Sequence, residues 1–250
     1  MPNIRYGMKE VANVIFFDIA TNKPVLFFDT LKVSTIENTS ESAEARGGQG
    51  NNRIMAWDYG RTATLTLQDA LLSDNSLSLL SGNAVKQTGI KAVGREVLTL
   101  VLDGTAPATK VTTTNTPVTG SVTVFGYSNG IMTTEIVPTS VSVKDVKFST
   151  GQTVGAQVVV FYEYTVSDNT AMQVTFSGSA FPAIYKVVGD TLVRGEDGID
   201  RKMQFIIPKA KLQSNFTLTM DAENVSTFDF TLDVLTEAGT NRLYDIIRLA

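Results

Sequence analysis

Two residue types are missing from this chain of 250 residues: it has no cysteine and no histidine. Without cysteine the chain cannot form a disulfide or a thiolate nucleophile, and without either residue it lacks the usual zinc ligands. Histidine is also the most common general acid or base in enzymes. These absences exclude most of the common catalytic machinery, so we predict a protein that is not an enzyme and has no cofactor or metal site.

Several short motifs of nucleotide binding and catalysis are missing as well. The sequence contains no Gly-x4-Gly-Lys-[Ser/Thr] loop, no Gly-x-Gly-x-x-Gly and no Ser-x-x-Lys. A glycosidase that uses two carboxylates stays open as a remote alternative, because the separation of such a pair is a three-dimensional quantity.

Charge and hydropathy indicate which classes of partner the chain lacks. The net charge is −4, and the 21 basic residues are scattered and form no block. A protein that holds nucleic acid through phosphates needs a basic cluster, so we predict no specific DNA binding. The longest apolar runs, residues 14–17 and 158–161, are far shorter than the roughly 20 residues of a membrane span. The first ten residues lack the apolar segment of a secretory signal, so we expect no membrane and a chain that matures in the cytoplasm where it is made.

Alternation of side chains predicts strands through most of the chain. Residues 61–67 read Arg-Thr-Ala-Thr-Leu-Thr-Leu, which is the period of a half-buried strand. Leucines at helical spacing then predict one helix over about 68–81, capped by Gln68 or Asp69 and ended by Gly82. Together these patterns predict a mainly β protein, a β-sandwich or barrel with one flanking α-helix.

Three other segments carry expectations that the structure can test. Residues 215–220 alternate as a strand does. Residues 237–250 have apolar positions near helical spacing, which predicts a short amphipathic tail. Residues 104–120 are rich in Thr, Pro and Gly, which favours an extended surface connection or an edge hairpin.

Residues 37–53 are the most polar stretch of the sequence. They exceed an ordinary hairpin turn, so we predict a long polar loop, and we interpret its glycines as a mobile turn. The single tryptophan, Trp57, follows closely. Its side chain is either an interface anchor or part of the core.

Four stretches of the sequence resemble a known family. They read ARGGQGNNRIMAWDYGRTATLTLQDALLS and SLSLLSGN between residues 45 and 83, FPAIYKVVGDTLVR at 181–194, MQFIIPKAKLQSNFTLTM at 203–220 and STFDFTLDVL at 226–235. Together they are similar to the tail tube, or major tail, proteins of long-tailed bacteriophages. The resemblance is weakest over 104–155.

The resemblance implies one tail-tube-like β domain over residues 1–250, with 104–155 as an insertion or extra strands. It implies hexameric rings that stack into a tube, through which genomic DNA passes into the host without specific binding. Implied partners are further copies of the chain, the baseplate, the tape measure and, in a contractile tail, a sheath. The implied location is the virion tail, after synthesis in the host cytoplasm, and the family brings no catalytic residues.

If the resemblance holds, we interpret the loop at 37–53 as an arm that reaches an adjacent subunit and becomes ordered on assembly. The alternative is a mobile solvent loop. The candidate residues of an inter-subunit loop are Glu41, Glu44, Arg46, Gly47, Gly48 and Arg53.

Two further functions stay open at this point. A baseplate, tail-terminator or decoration protein would share the fold but stop at a defined ring or bind another protein's surface. The carboxylate glycosidase is the more remote alternative, and a cleft with two facing carboxylates would support it.

Overall fold

A computed structural model describes residues 5–8, 10–104, 106–149, 151–167, 170–218, 220–222 and 227–249. Strands make up 55% of the chain, and a single short helix accounts for 3%. This confirms the predicted mainly β fold with one helix. In chain order the elements are β1 (Tyr6–Met8), β2 (Asn13–Asp18), β3 (Pro24–Phe28), β4 (Leu31–Gly47), β5 (Asn52–Asp69), α1 (Asp74–Ser81), β6 (Lys91–Thr99), β7 (Val101–Leu102), β8 (Thr109–Thr112), β9 (Thr123–Ser128), β10 (Ile131–Glu135), β11 (Ser140–Ser142), β12 (Asp145–Phe148), β13 (Gln157–Thr165), β14 (Ile184–Gly195), β15 (Asp200–Leu212), β16 (Phe228–Val234) and β17 (Asp245–Arg248).

The chain divides into two compact units. Unit 1 comprises Met1–Val85 and Val174–Ala250, and unit 2 comprises Lys86–Gln173. The range 104–155, predicted as an insertion or extra strands, lies wholly within unit 2. The single domain over 1–250 stays a prediction, because two compact parts can still unfold together.

Unit 1 is built on one large antiparallel sheet. Its order is β3-β2-β14-β15-β16-β5-β4, with β1 added beside β14 and β17 beside β15. The sheet curls around its core. Phe28 of the edge strand β3 packs on Phe230 of β16, with ring centroids 5.2 Å apart. The backbone N–H of Ala12 donates to Ser34 Oγ of β4 at 3.2 Å. The core lies inside this curl, because alternate side chains of each strand point into it.

The helix begins later than the sequence predicts. Asp69 ends β5, and its carboxylate accepts hydrogen bonds from Thr30 Oγ1 at 2.5 Å and from the backbone N–H of Leu71 at 3.3 Å. The true N-cap is Ser73, which exchanges hydrogen bonds with Ser76 in a capping box. A start near residue 68 was therefore wrong, because β5 continues through that point.

The C-terminal end of the helix agrees with the sequence. Gly82 caps it in the left-handed conformation, as predicted. Leu80 is buried in the core of unit 1, and Leu77 and Leu79 pack against that core from the helix.

The predicted polar loop at 37–53 is wrong. Residues up to Gly47 belong to β4, and those from Asn52 belong to β5, so only residues 48–51 form a turn. The two strands pair from Leu31↔Asp69 to Gly47↔Asn52. The prediction failed because it used composition alone. A polar segment forms a strand here because its backbone is hydrogen-bonded to the partner strand.

Two other expectations failed. Residues 245–248 form β17 beside β15 and no helix, because an open stretch of β15 pairs with them. Residues 215–218 and 220 belong to no strand. That segment is held by a side chain, since the Phe216 ring packs on Phe176 and Phe228 with centroid distances of 5.2 and 6.0 Å.

Unit 2 contains two four-stranded antiparallel sheets, ordered β10-β9-β13-β6 and β11-β12-β8-β7. Both sheets contribute to one core, which contains Val111 and Phe148 from one sheet and Val124 and Tyr162 from the other. Unit 2 is therefore a small β-sandwich.

One buried polar group ties a loop of unit 2 to its core. The Tyr162 hydroxyl donates to Glu96 and accepts from the backbone N–H of Asn115 at 3.1 Å. The pKa of Tyr162 is raised, first by burial and then by the hydrogen bond to Glu96. The hydroxyl therefore stays protonated and satisfied, as a buried polar group must be.

Candidate functional site

The outer part of the β4–β5 hairpin differs from every other long strand pair in unit 1. We call residues 40–60 the arm. Within the described chain, β4 is the last strand of its sheet, and β5 pairs with β16 only from Ala63 to Asp69. Both edges of the arm therefore carry backbone N–H and C=O groups that face no neighbouring strand.

Both faces of the arm are exposed too. At the base of the hairpin Ala63, Leu65 and Leu67 are buried, whereas no residue of the arm is buried. A two-stranded hairpin without a supporting layer is only marginally stable in water. The arm thus lacks the burial that holds the rest of unit 1.

The turn at the end of the arm has the geometry that its glycines predict. Gly48, Gly50 and Asn51 have φ values of 78°, 86° and 50°. Residues with side chains rarely adopt this region, and glycine and asparagine tolerate it best. The backbone N–H of Asn51 donates to the Gly48 carbonyl at 3.1 Å and closes the turn.

Three of the predicted site residues meet near this turn. Glu44 accepts from Arg46 Nη2 at 2.6 Å and lies 3.2 Å from Arg53 Nε. Arg46 and Arg53 face each other across the strands, so the Glu44 carboxylate offsets the repulsion between two like charges. These ion pairs are exposed and contribute little energy, but they fix the tip of the arm within its own chain.

The other predicted residues lie apart from this cluster. Glu41 faces Tyr59 across the hairpin, Gly47 ends β4, and Gly48 begins the turn. Trp57 belongs to neither core, since 54% of it is exposed. The interpretation of Trp57 as a core residue is therefore wrong, and its role as an interface anchor stays a prediction.

Trp57 is one member of an apolar stripe along the arm. Met55, Trp57 and Tyr59 alternate along β5 and share one face, and each is 54% exposed. Ala43 and Ala45 face Trp57 and Met55 from β4. Ile54, near the turn, is 64% exposed. Sequence reasoning missed Ile54 and Met55, although their position between a glycine turn and Trp57 was the available signal.

This arrangement fits binding to protein. Aromatic side chains and Met are enriched at protein interfaces, and open strand edges accept further strands. Among the residues that the structure describes, no three acidic side chains form a group able to hold a metal ion. No helix in the same part of the chain is long and apolar enough to cross a membrane.

Comparison with known proteins gives one positive result. No curated protein matches the chain. A family model described as the YomU/Tube protein family matches residues 6–248, which is nearly the whole length. Its name indicates a tube-like structural protein of phages, and proteins of that class are located in the virion. The chain therefore belongs to the YomU/Tube protein family.

Proposed function

We propose that this chain is the tail tube protein of a phage. Copies join through the arm into rings, expected to be hexameric, and the rings stack into the tube through which genomic DNA passes. The observation that carries the proposal is the arm, with two exposed faces, two open edges and an apolar stripe around Trp57.

Energetics support a partner for the arm. Cross-strand pairs contribute about 0.2–1 kcal/mol each, which is less than the roughly 1–2 kcal/mol of backbone entropy lost for each residue that is ordered. Exposed aromatic residues add the cost of hydrating apolar surface, and a neighbouring copy removes that cost by covering them. A neighbour that pairs with an open edge also satisfies the backbone groups along it.

The charge of the chain suits a passage for DNA. A net charge of −4 repels phosphates, so the genome moves along the wall without adhering to it. In this proposal the tube also contacts the baseplate, the tape measure and, in a contractile tail, the sheath. The protein is made in the host cytoplasm and ends in the virion tail.

The first experiment is negative-stain electron microscopy of the purified chain over a series of concentrations. We expect uniform tubes with a central channel above a threshold concentration. Isolated closed rings would favour a baseplate or tail-terminator role. A chain that stays monomeric at every concentration, with and without isolated tail tips added as nucleators, would overturn the proposal in favour of a decoration protein.

A variant without the arm tests the observation itself. Replacing residues 40–61 by Asn-Gly joins the paired residues Thr39 and Thr62 through a two-residue turn. We expect a folded monomer that unfolds cooperatively in urea and forms no tubes. Tubes of normal diameter from this variant would show that the arm is not required. Val93→Ser, at an exposed apolar residue of unit 2, is the matched control and should assemble.

A further inference from the structure

A groove opens at the base of the arm within unit 1. It encloses about 310 Å³, at the lower end of the range of about 300–1,000 Å³ for pockets that hold small ligands. Strands β1, β4, β5, β14, β15 and β17 contribute to it. Its lining includes Met8, Ile36, Leu65, Met203, Phe205 and Ile246.

The floor and the rim of the groove differ. Leu65 and Phe205, on the floor, belong to the core of unit 1. Met8 and Ile246, on the rim, are 64% and 56% exposed. The groove is therefore a recess with a packed apolar floor and apolar walls that water contacts, which is the form of a site for a bulky apolar side chain.

The arm of the same chain does not reach this groove. The pair Ile36↔Leu65 lines it, and the pair Ala43↔Trp57 lies seven β4 residues further out. At about 3.3 Å per residue the separation is about 23 Å. Strand pairing continues up to Gly47↔Asn52, with register shifts after Thr39 and after Ala45, so the arm extends away from its own base.

The arm carries the matching side chain. Trp57 is large and apolar, and Met55 and Tyr59 flank it on the same face. Trp, Tyr and Met are enriched at protein interfaces, and Trp and Tyr are also enriched among the residues that contribute most of the binding energy. One chain thus presents both an exposed aromatic anchor and an apolar recess, at a distance that prevents them from meeting within one copy.

The outermost turn of the arm and the rim of the groove carry opposite charges. The tip of the arm has two guanidinium groups, on Arg46 and Arg53, that share the carboxylate of Glu44. Glu10 lines the groove and is exposed. Residues 44–53 carry a net charge of +1, whereas Glu41 and Asp58 make the arm as a whole −1. Only the outermost turn is therefore attracted to the carboxylate on the rim, which favours one docking direction.

We propose that Trp57 of one copy docks into the groove at the base of the next copy's arm. This deepens the proposed function and rests on it. The contact is heterologous, since the tip of one copy meets the base of another. Each copy therefore keeps one free tip and one free groove, and a chain of such contacts closes into a ring or continues as a helix.

A mixing experiment separates this contact from other modes of assembly. Trp57→Arg disables the tip and leaves the groove intact, and Ile246→Glu disables the groove and leaves the tip intact. We expect each variant alone to stay monomeric at concentrations at least tenfold above the wild-type threshold. Mixed in equal amounts, the two variants should form a heterodimer that grows no further, as measured by analytical ultracentrifugation. The heterodimer grows no further because its remaining arm lacks Trp57 and its remaining groove is blocked.

The outcomes distinguish the two proposals. Assembly of Ile246→Glu at the wild-type threshold would overturn the groove contact and leave the tube proposal standing. A mixture that stays monomeric would overturn the head-to-tail arrangement. A wild-type chain that never assembles, with nucleators present, would overturn both. Met8→Glu, on the opposite rim, repeats the test if Ile246→Glu does not fold, and Ile246→Val should assemble normally.

The absence of native cysteine allows a direct second test. Tyr59→Cys, beside Trp57 on the same face, and Ile246→Cys each place the only thiol of the chain at one side of the proposed contact and keep Trp57 itself. Under mild oxidation only the mixture of the two variants should give a disulfide-linked dimer in high yield. Tyr59→Cys mixed with Val93→Cys is the control and should give little, and equal yields in both mixtures would contradict the docking.

Discussion

Two long hairpins of unit 1 have the same secondary structure and different surroundings. β14 pairs with β2 and β1 on its far side, and β15 pairs with β16 and β17. The arm has no such neighbours among the described strands. Burial follows the same division, since Val187 and Ile207 are fully buried whereas Met55 and Trp57 are more than half exposed.

The tips of the two hairpins are alike, so the tips do not explain the difference. Ion pairs fasten the β14–β15 turn, with Arg194 on Asp200 at 2.6 Å. Glu44 and its two arginines fasten the arm. Turn chemistry and local charge therefore do not distinguish the two hairpins, and tertiary burial does. In the proposed function a neighbouring copy supplies the burial that the arm lacks.

The largest difference between the hairpins should appear in stability. Ile207→Ala empties a fully buried site and should lower the free energy of unfolding by about 2–5 kcal/mol. Trp57→Ala removes a side chain from solvent and should change it by no more than about 0.5 kcal/mol in the monomer, while tube formation fails. Urea titration of both variants, with electron microscopy, gives the comparison. A destabilisation by Trp57→Ala equal to that by Ile207→Ala would show that the arm packs within its own chain.

Hydrogen exchange should show the same contrast without mutation. Amides of residues 40–60 should exchange at least a hundredfold faster than those of β14 and β15 in the monomer, because the arm opens locally without unfolding the core. Assembly should remove most of that difference. Mass spectrometry of peptides from monomers and tubes measures both states. Arm amides that exchange equally fast in tubes would contradict a role in the contact.

A smaller effect is expected at the bulge between base and arm. Ser40 faces both Gly60 and Arg61 where the register shifts, and Gly60 has a φ of 61°. Gly60→Ala should cost about 1–2 kcal/mol locally. We expect the assembly threshold to rise about five- to thirtyfold with little change in monomer unfolding. Light scattering against concentration measures the threshold. Gly178→Ala, at a position with open space around it, is the control and should have no effect.

The smallest effect concerns pH at the tip of the buried hairpin. Hydrogen bonds from Arg201 and from the Ile199 N–H lower the pKa of Asp197 to about 2. Because the ordinary carboxyl value is about 4, the stability from this pair is fully present above about pH 4 and is lost between about pH 4 and 2. Asp197→Asn should therefore make the urea midpoint less sensitive to pH in that interval than in the wild type. Parallel curves for the two proteins would contradict the assignment.

The sequence predicted the parts of the fold that burial controls. Alternation at residues 61–67 correctly identified the base of β5, because Ala63, Leu65 and Leu67 face the core. Gly82 correctly ended the helix, because its left-handed conformation is a local property. The start of the helix was missed because Ser76 occupies the capping-box position where Glu or Gln is the usual signal.

The parts that depend on a partner strand were not predictable. Residues 37–47 lack alternating apolar positions, and they are strand only because β5 lies beside them. Residues 245–248 have nearly helical spacing and pair with β15 instead. The candidate site was found through its glycines and Trp57. The apolar stripe was not found, because its face is defined by the register of the hairpin.

The two ends of unit 2 lie side by side, which makes this unit a suitable place to insert a foreign domain. Lys86 and Gln173 exchange two backbone hydrogen bonds of 2.9 Å, so the chain leaves and returns at neighbouring positions. A foreign domain whose termini lie close together can replace the residues between them without stretching either connection. If the recipient chain still assembles, each copy in the tube then displays one passenger at a fixed, repeating interval.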